Sequence, residues 1–573
     1  MRIPACGGSA ERPQGLNSIS QHVWRERFRS ASDASVEDTW RRVAAAVAAA
    51  EASPFMRRRW AQVFYDAMTG FKFLPGGRTL AGAGAGAILF DCFITGPMPA
   101  DASSILANLH GAASTLRRGG RAALDFSAIP PKGRAISDGG VRPSGPLAIM
   151  DVWSAIAATI VETDVSSIAA LSCSHPDIED FIADARGGRF DGFKRLVLIP
   201  DAFMAAVEGD GAWPLVFGEE TFRTISARAL WRAMLQGAYE RAGLGLLFVD
   251  RANASLRATS AHQDGLAAND NALRHEASLL GSINLAALVE DAFTAAARIP
   301  EHKLDALTAV AVRFLDNVID VSGYALPEQK AAAKSRRRLG LGVTGLADAL
   351  ILCGAHYGAE DGRRLAGHWM ARICRSAYLA SAGLARLKGC FPRFDMDEQL
   401  AHPFVAGLDA DVANAIRRHG LRNDALMAMA PAVATSLLAD SVSGGIEPVF
   451  DIAGSGGSSD EASVLCYAER RFRELRGADA LPGFFVTSRD IAPQARLQMQ
   501  AAVQRHIDAP LSSVINCPPG LSFEDFEQLC RGAHAIGASG CAFFGLGGLD
   551  GSRWTASRKS AGNNPQECAG EVR

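Results

Sequence analysis

The chain has no C-x-x-C pair among its 11 cysteines. They fall singly at Cys6, Cys92, Cys173, Cys353, Cys374, Cys390, Cys466, Cys517, Cys530, Cys541 and Cys568, and no Cys/His spacing of the zinc-ligand kind recurs. That removes zinc ribbons and dithiol redox motifs and leaves buried or free thiols as the expectation. There is no excess of either charge: 59 basic against 61 acidic residues, so no overall field points to nucleic acid or to a membrane surface. Long apolar runs are missing as well. The most alanine-rich run, Val43 to Ala50, follows Arg41 and Arg42 and is too short to span a bilayer. The opening MRIPACGGSAERPQ lacks the apolar stretch of a signal peptide. No repeat of solenoid period occurs. These absences imply a cytoplasmic protein with no nucleic-acid or membrane partner.

What is present is a chain of 573 residues with ordinary hydrophobic content, long enough to bury a substantial core. Residues 1–34 read as a polar arm with a short helix. Ser35-Val-Glu-Asp38 is a capping-box pattern, and Trp40, Val43, Ala44 and Val47 follow at helical spacing. With a second helical stretch from Arg59 to Thr69 they form an expected helical cap over 35–72. From Leu74 the texture changes to a glycine-rich turn and then to alternating strand-like and helical runs, which argues for α/β. Leu196 to Ile199, Leu246 to Val249 and Phe484 to Val486 read as strands, and Ala309 to Val321 and Cys374 to Leu387 as helices. His175-Pro-Asp-Ile-Glu-Asp-Phe-Ile182 reads as a helix start. Gly454 to Ser459 reads as a flexible link and 550–573 as a disordered tail.

Gly340-Leu-Gly-Val-Thr-Gly345 fits the G-x-G-x-x-G pattern of dinucleotide-binding turns. That reading needs a buried strand immediately before it, and Lys334-Ser-Arg-Arg-Arg338 cannot form one. The competing reading is a glycine-lined close approach of strand and helix.

Longer motifs say more. Ala277 to Ala286 reads ASLLGSINLA and Arg337 to Leu350 reads RRLGLGVTGLADAL. Val36 to Val43, Ser144 to Trp153, Cys173 to Ile182, Asp316 to Ser322, Gly445 to Phe450 and Ile515 to Pro518 lie between and around them. In this order the segments resemble the ribonucleotide reductases, most of all the adenosylcobalamin-dependent (class II) ribonucleoside-diphosphate reductases, from about Ile19 to Gly545. The resemblance implies a ten-stranded α/β barrel, here over 73–549, with Ala277 to Ala286 through or beside its centre. It implies adenosylcobalamin as cofactor, a ribonucleoside diphosphate as ligand, and a homodimer or partner reductase chain.

The same resemblance assigns site positions. Family members enter the barrel with a loop carrying Asn-Pro-Cys-Gly-Glu, whose cysteine bears the radical and whose glutamate is the base. Here the matching stretch, Ala261 to His275, reads AHQDGLAANDNALRH, with no cysteine or glutamate. Asp264 and Asp270 are acids outside any family pattern. Cys92, in Phe90-Asp-Cys-Phe-Ile94, matches the first of two reducing cysteines, and its partner position is Ser278. Asp91, Thr79 and Arg121 fall at substrate-facing positions, Arg121 replacing a glycine in a Gly-rich turn now reading Gly119-Gly-Arg-Ala-Ala123. The phosphate loop reads Pro431-Ala-Val-Ala-Thr-Ser436, where Val433 and two alanines remove glycine freedom and hydroxyls while Thr435 and Ser436 remain. Around Asp164 to Ile168 an Arg-Arg-Gly-Ala segment is replaced. The C-terminal C-x-x-C is missing, leaving Cys568 alone.

A thiyl radical cannot be replaced by a hydroxyl, whose O–H bond is too strong, and a lone Cys92 cannot close the disulfide that delivers two electrons. The expectation is therefore a catalytically inactive paralogue with a nucleotide-binding or regulatory role. Alternatives are an active reductase completed by another chain and, weaker, a dinucleotide-dependent oxidoreductase.

Overall fold

The computed structural model describes residues 16–98, 101–133, 145–160, 167–187, 193–241, 244–256, 277–429, 433–449, 466–477, 479–516 and 521–544. The stretch 261–275, Asp164, Pro431, the link 454–459 and the tail 550–573 lie outside them.

The helical cap forms for local reasons. Ser35 Oγ accepts from the Asp38 amide (3.2 Å) and the Asp38 carboxylate accepts from the Ser35 amide (3.0 Å), so the expected capping box closes at the start of helix Val36–Ala48. Helix Pro54–Met68 has proline in its first turn and Ser53 as N-cap, five residues earlier than expected. Residues before 35 join this core. Trp24 and Phe28 are buried with Trp40 and Phe64, and Ser20 Oγ donates to Leu437 O at 2.6 Å.

Among the described residues thirteen strands follow: β1 Phe73–Pro75, β2 Cys92–Pro97, β3 Arg121–Asp125, β4 Ser167–Ser172, β5 Phe193–Ile199, β6 Ala212–Phe217, β7 Glu220–Ser226, β8 Leu244–Phe248, β9 Ala277–Ser278, β10 Leu280–Asn284, β11 Gly340–Thr344, β12 Ser512–Asn516 and β13 Gly540–Phe544. β6 and β7 make a separate hairpin. Strands β2, β3, β4, β5 and β8 run parallel as one half of a barrel. At one edge β13 joins β8 antiparallel and β12 runs parallel to β13; at the other, β9 joins β2 antiparallel. After Leu279 the chain continues into β10, which pairs parallel with β11, and β11 bridges to Met427. Ala509 N donates to Met427 O at 3.1 Å, just ahead of β12, and so links the second half round to the first. This is the α/β barrel that the sequence implied, with Ala277–Asn284 at a seam between its halves.

Two apolar layers hold it. Ala122, Leu124, Ala169, Leu171, Val197 and Leu246 pack outward on a core with Trp153, Phe181 and Trp231. Ile283, Leu341 and Val343 pack on Phe314, Leu315 and Val318 of helix Glu301–Val321, in one core with the cap. Because successive strand residues alternate faces, Cys92, Arg121 and Ala123 belong to the inner face of the first half, and Ser282, Asn284, Gly340 and Gly342 to that of the second.

One local expectation changes. Phe484 to Val486 is not a strand; Phe485 instead packs against Phe293 (6.0 Å) and Phe472 (5.3 Å), so the run is apolar because it fills an aromatic cluster. The Gly340–Gly345 glycines do not make a dinucleotide turn. Gly340 and Gly342 lie within β11, where a Cβ on Gly340 would stand 2.7 Å from Leu280 Cδ2, and one on Gly342 would strike Ala428 O. Only Gly345, left-handed at φ 67°, starts a helix.

Candidate functional site

The site grows from one row of backbone pairs. Cys92 is the register partner of Ser278 on one side and of Arg121 on the other. Directly opposed residues on neighbouring strands share a face of the sheet, so these three positions lie side by side at one rim of the barrel. Opposed α-carbons on antiparallel strands are about 4.5 or 5.5 Å apart.

The loop after β1 covers this rim. Gly76 N donates to Leu280 O at 2.8 Å, and a Cβ on Gly76 would stand 2.8 Å from that same oxygen and 3.1 Å from Asp91 Oδ2. Gly76 must therefore be glycine for the loop to lie this close. It brings Arg78 and Thr79 to the site. Thr79 is fully buried and its hydroxyl donates to Leu89 O at 3.3 Å, so its donor is turned to the backbone. Arg78 passes over Gly119: a Cβ there would stand 2.6 Å from Arg78 Nη1. Arg121, two residues on, is exposed.

Burial dominates the electrostatics. It pushes the Asp91 carboxyl up to about 6, with the Arg121 and Arg78 guanidiniums pulling the other way. Asp91 Oδ2 is buried without a hydrogen-bond partner. Burial also pushes the Cys92 thiol up to about 12, opposed by Arg121 and reinforced by Asp91. The thiol thus stays protonated at neutral pH, the form that does not attack a disulfide. Arg78 is lowered by burial and by Arg121, with Asp91 opposing.

On the facing half, Thr435 and Ser436 sit in the short helix Val433–Leu438 and are both buried. Ser436 Oγ lies 2.9 Å from Thr344 Oγ1, and Thr344 donates to Ser443 O at 2.8 Å. Thr344 has a single proton, so Ser436 is the donor of the pair. Nearby, Asn284 Oδ1 is buried without a partner. β9 runs antiparallel to β2 and leads on into β10, and Asn284 at the end of β10 is the register partner of Thr344 at the end of β11.

The structure thus brings together Asp91, Cys92, Arg121 and the backbone of Ser278, and sets Thr435 and Ser436 on the opposite half; Pro431 and Ala261 to His275 lie outside the described residues. Sequence reasoning missed Arg78 and Asn284. Arg78 had a signal: it is the one charged residue in the run Pro75 to Gly86. Asn284 had none apart from the motif that contains it. Among the described residues no helix is long and apolar enough to cross a membrane.

Comparison with known proteins gives the same outline. Residues 15–87 match the model of the ribonucleotide reductase all-alpha domain and residues 91–544 that of the ribonucleotide reductase barrel domain. A vitamin B12-dependent ribonucleoside-diphosphate reductase of Mycobacterium tuberculosis is 33% identical over 550 residues, covering 89% of this chain and 76% of that protein. A protein of the same name from Thermoplasma acidophilum is 27% identical over 523 residues, covering 84% and 64%. A ribonucleoside-diphosphate reductase subunit alpha of Chlamydia muridarum is 26% identical over 483 residues, covering 72% and 45%.

Proposed function

We propose that this chain, which belongs to the ribonucleotide reductase family, is a paralogue that keeps the family's fold and a nucleotide site without its reduction chemistry. One observation carries the reading. Cys92 is paired in register with Ser278, where a second thiol would be required. Ribonucleotide reduction takes two electrons from two thiols, which end as a disulfide, and a serine cannot supply one. The sequence adds that no cysteine occurs between Cys173 and Cys353, the interval that contains the radical position of the family.

By family resemblance the cofactor is adenosylcobalamin, which supplies a radical to a thiol beside the substrate. The residues here do not fit that task. By the resemblance Cys92 stands at a reducing position and not at the radical position, its register partner is not a thiol, and the stretch 261–275 that would carry the radical thiol holds no cysteine.

A nucleotide role is supported by the groups that remain: basic Arg78 and Arg121, acceptors at Asp91 and Asn284, and Thr435 and Ser436 across the barrel. A regulatory role would act on a partner reductase chain or a second copy. The test is thermal denaturation of the full chain with ribonucleoside diphosphates, since a ligand that binds only the native state raises its stability. The expected result is a raised melting temperature with no deoxyribonucleotide formed in the presence of adenosylcobalamin and a dithiol. Product that disappears in Cys92→Ala would show an enzyme and sink the proposal.

A further inference from the structure

The barrel rim holds charges that the described protein does not satisfy. Arg78 and Arg121 make no hydrogen bond or ion pair with any described residue, and Asp91 Oδ2 accepts none. The groups nonetheless sense one another: Arg121 depresses Arg78, and both guanidiniums pull the Asp91 carboxyl down against its burial. Their positions are fixed by close approaches. The Arg78 Nη1 lies where a side chain on Gly119 would begin, and Asp91 Oδ2 lies under Gly76. Arg121 opens β3 beside Cys92.

Two neighbouring guanidiniums, one of them half-buried, with Asp91 as the carboxylate that senses both and that burial pushes toward its neutral form, leave positive charge incompletely balanced in a low-dielectric setting. An oxyanion placed between them removes the repulsion and takes charge-assisted hydrogen bonds from both planar donors. The free Asp91 oxygen would meanwhile accept from a hydroxyl of the same ligand. The opposite half offers less to an anion. Ser436 donates to Thr344 and Thr344 to Ser443 O, so these hydroxyl protons are already engaged within the protein.

We infer that the anionic end of a nucleotide is held between Arg78 and Arg121, at the Cys92 rim, and not at the Thr435–Ser436 segment. This rests on the nucleotide reading above and assigns which end of the site carries the phosphate. The ligand class is a phosphate or diphosphate ester bearing free hydroxyls.

Isothermal titration of the full chain tests it, with pyrophosphate, cytidine diphosphate and unphosphorylated cytidine as probes. The variants are Arg121→Ala, Arg78→Gln and Ser436→Ala. Pyrophosphate and cytidine diphosphate are expected to bind and cytidine not to. Each arginine variant should weaken both anions by about tenfold or more, and Ser436→Ala by less than about twofold. Arg121 is exposed, so its variant will fold; should Arg78→Gln not, Arg121→Ala decides alone. Cytidine diphosphate bound equally by the arginine variants but weakened by Ser436→Ala would overturn this assignment while leaving the nucleotide reading standing. Arginine-dependent pyrophosphate binding without cytidine diphosphate binding would keep the anion site and remove the nucleotide. Binding of neither anion would remove both.

Discussion

Asp91 is the residue on which the rim's pH behaviour turns. Its carboxyl is raised to about 6 in the folded protein, chiefly by burial, from an ordinary 3.8. A raised folded value means the native state binds the proton more tightly than the unfolded chain does. Stability therefore falls as pH rises from about 4 to about 6 and stays lower above that. Asp91→Asn removes the effect. It should be more stable than the parent at neutral pH by roughly 1–3 kcal/mol, with the gain vanishing near pH 4, in urea denaturation across that range. An unchanged pH profile would mean that Asp91 is well solvated. Cys92 gives a second prediction at this scale. Opposed antiparallel α-carbons fall within the roughly 4.4–6.8 Å span that a disulfide bridges. The Ser278→Cys variant should therefore cross-link Cys92 to the introduced thiol under mild oxidation, seen as a loss of two free thiols by mass. Two thiols that stay titratable would refute the register Cys92 to Ser278.

At the scale of elements, a buried polar cluster adds to the apolar core in joining the cap to the barrel. Arg313, on helix Glu301–Val321, donates to both oxygens of Glu51 at 2.8 and 2.6 Å, Asn317 Nδ2 adds a 2.9 Å bond, and Arg313 lies 4.1 Å over the Trp60 ring. Burial alone would raise the Glu51 carboxyl, but the hydrogen bonds from Arg313 and Asn317 hold it below its ordinary range. The sign is opposite to that of Asp91: this contribution is present above the unfolded value and lost as acid protonates Glu51. Glu51→Ala leaves Arg313 buried and uncompensated and should cost about 3–5 kcal/mol, while a Glu51→Leu, Arg313→Met double variant should recover most of that loss. Equal losses in the two proteins by chemical denaturation would contradict the pairing argument. Strand β11 sets a different limit. Gly342→Ala places a methyl against Ala428 O and should destabilise by about 1–3 kcal/mol with no change in the basic rim.

For the molecule as a whole, the proposed loss of chemistry is expected to involve several groups acting together. Restoring a thiol at Ser278, and a cysteine within 261–275, should not restore reduction of ribonucleoside diphosphates with adenosylcobalamin and a dithiol. By the resemblance the base of that loop and the phosphate segment differ too, and groups that work as a unit fail together. Product above background from the doubly restored protein would show that two residues alone separate this chain from an active enzyme. The barrel itself should stay folded in Arg121→Ala, because the apolar layers around Trp153, Trp231 and Phe314 share no side chain with the exposed Arg121.

The sequence alone settled the local elements with strong chemistry: the Ser35–Asp38 capping box, the strands at Leu196 and Leu246, and the helices at 309–321 and 374–387. Each rests on contacts within a few residues, which periodicity and capping reveal. Motif order likewise made the family and its barrel legible, and the cysteine-free interval between Cys173 and Cys353 is a fact of the sequence. Phe484 to Val486 was misread because apolarity marks burial, and an aromatic cluster buries a loop as well as a strand. Tertiary structure decided what depends on partners far away in the chain. It placed Ser278 opposite Cys92, brought Arg78 over Gly119, and left Asp91 Oδ2 buried without a donor. It also turned the Ser436 proton toward Thr344, 92 positions away. Charge and hydroxyl type can be read from a sequence, but whether a group is desolvated, paired or left free is set by neighbours that only folding brings near.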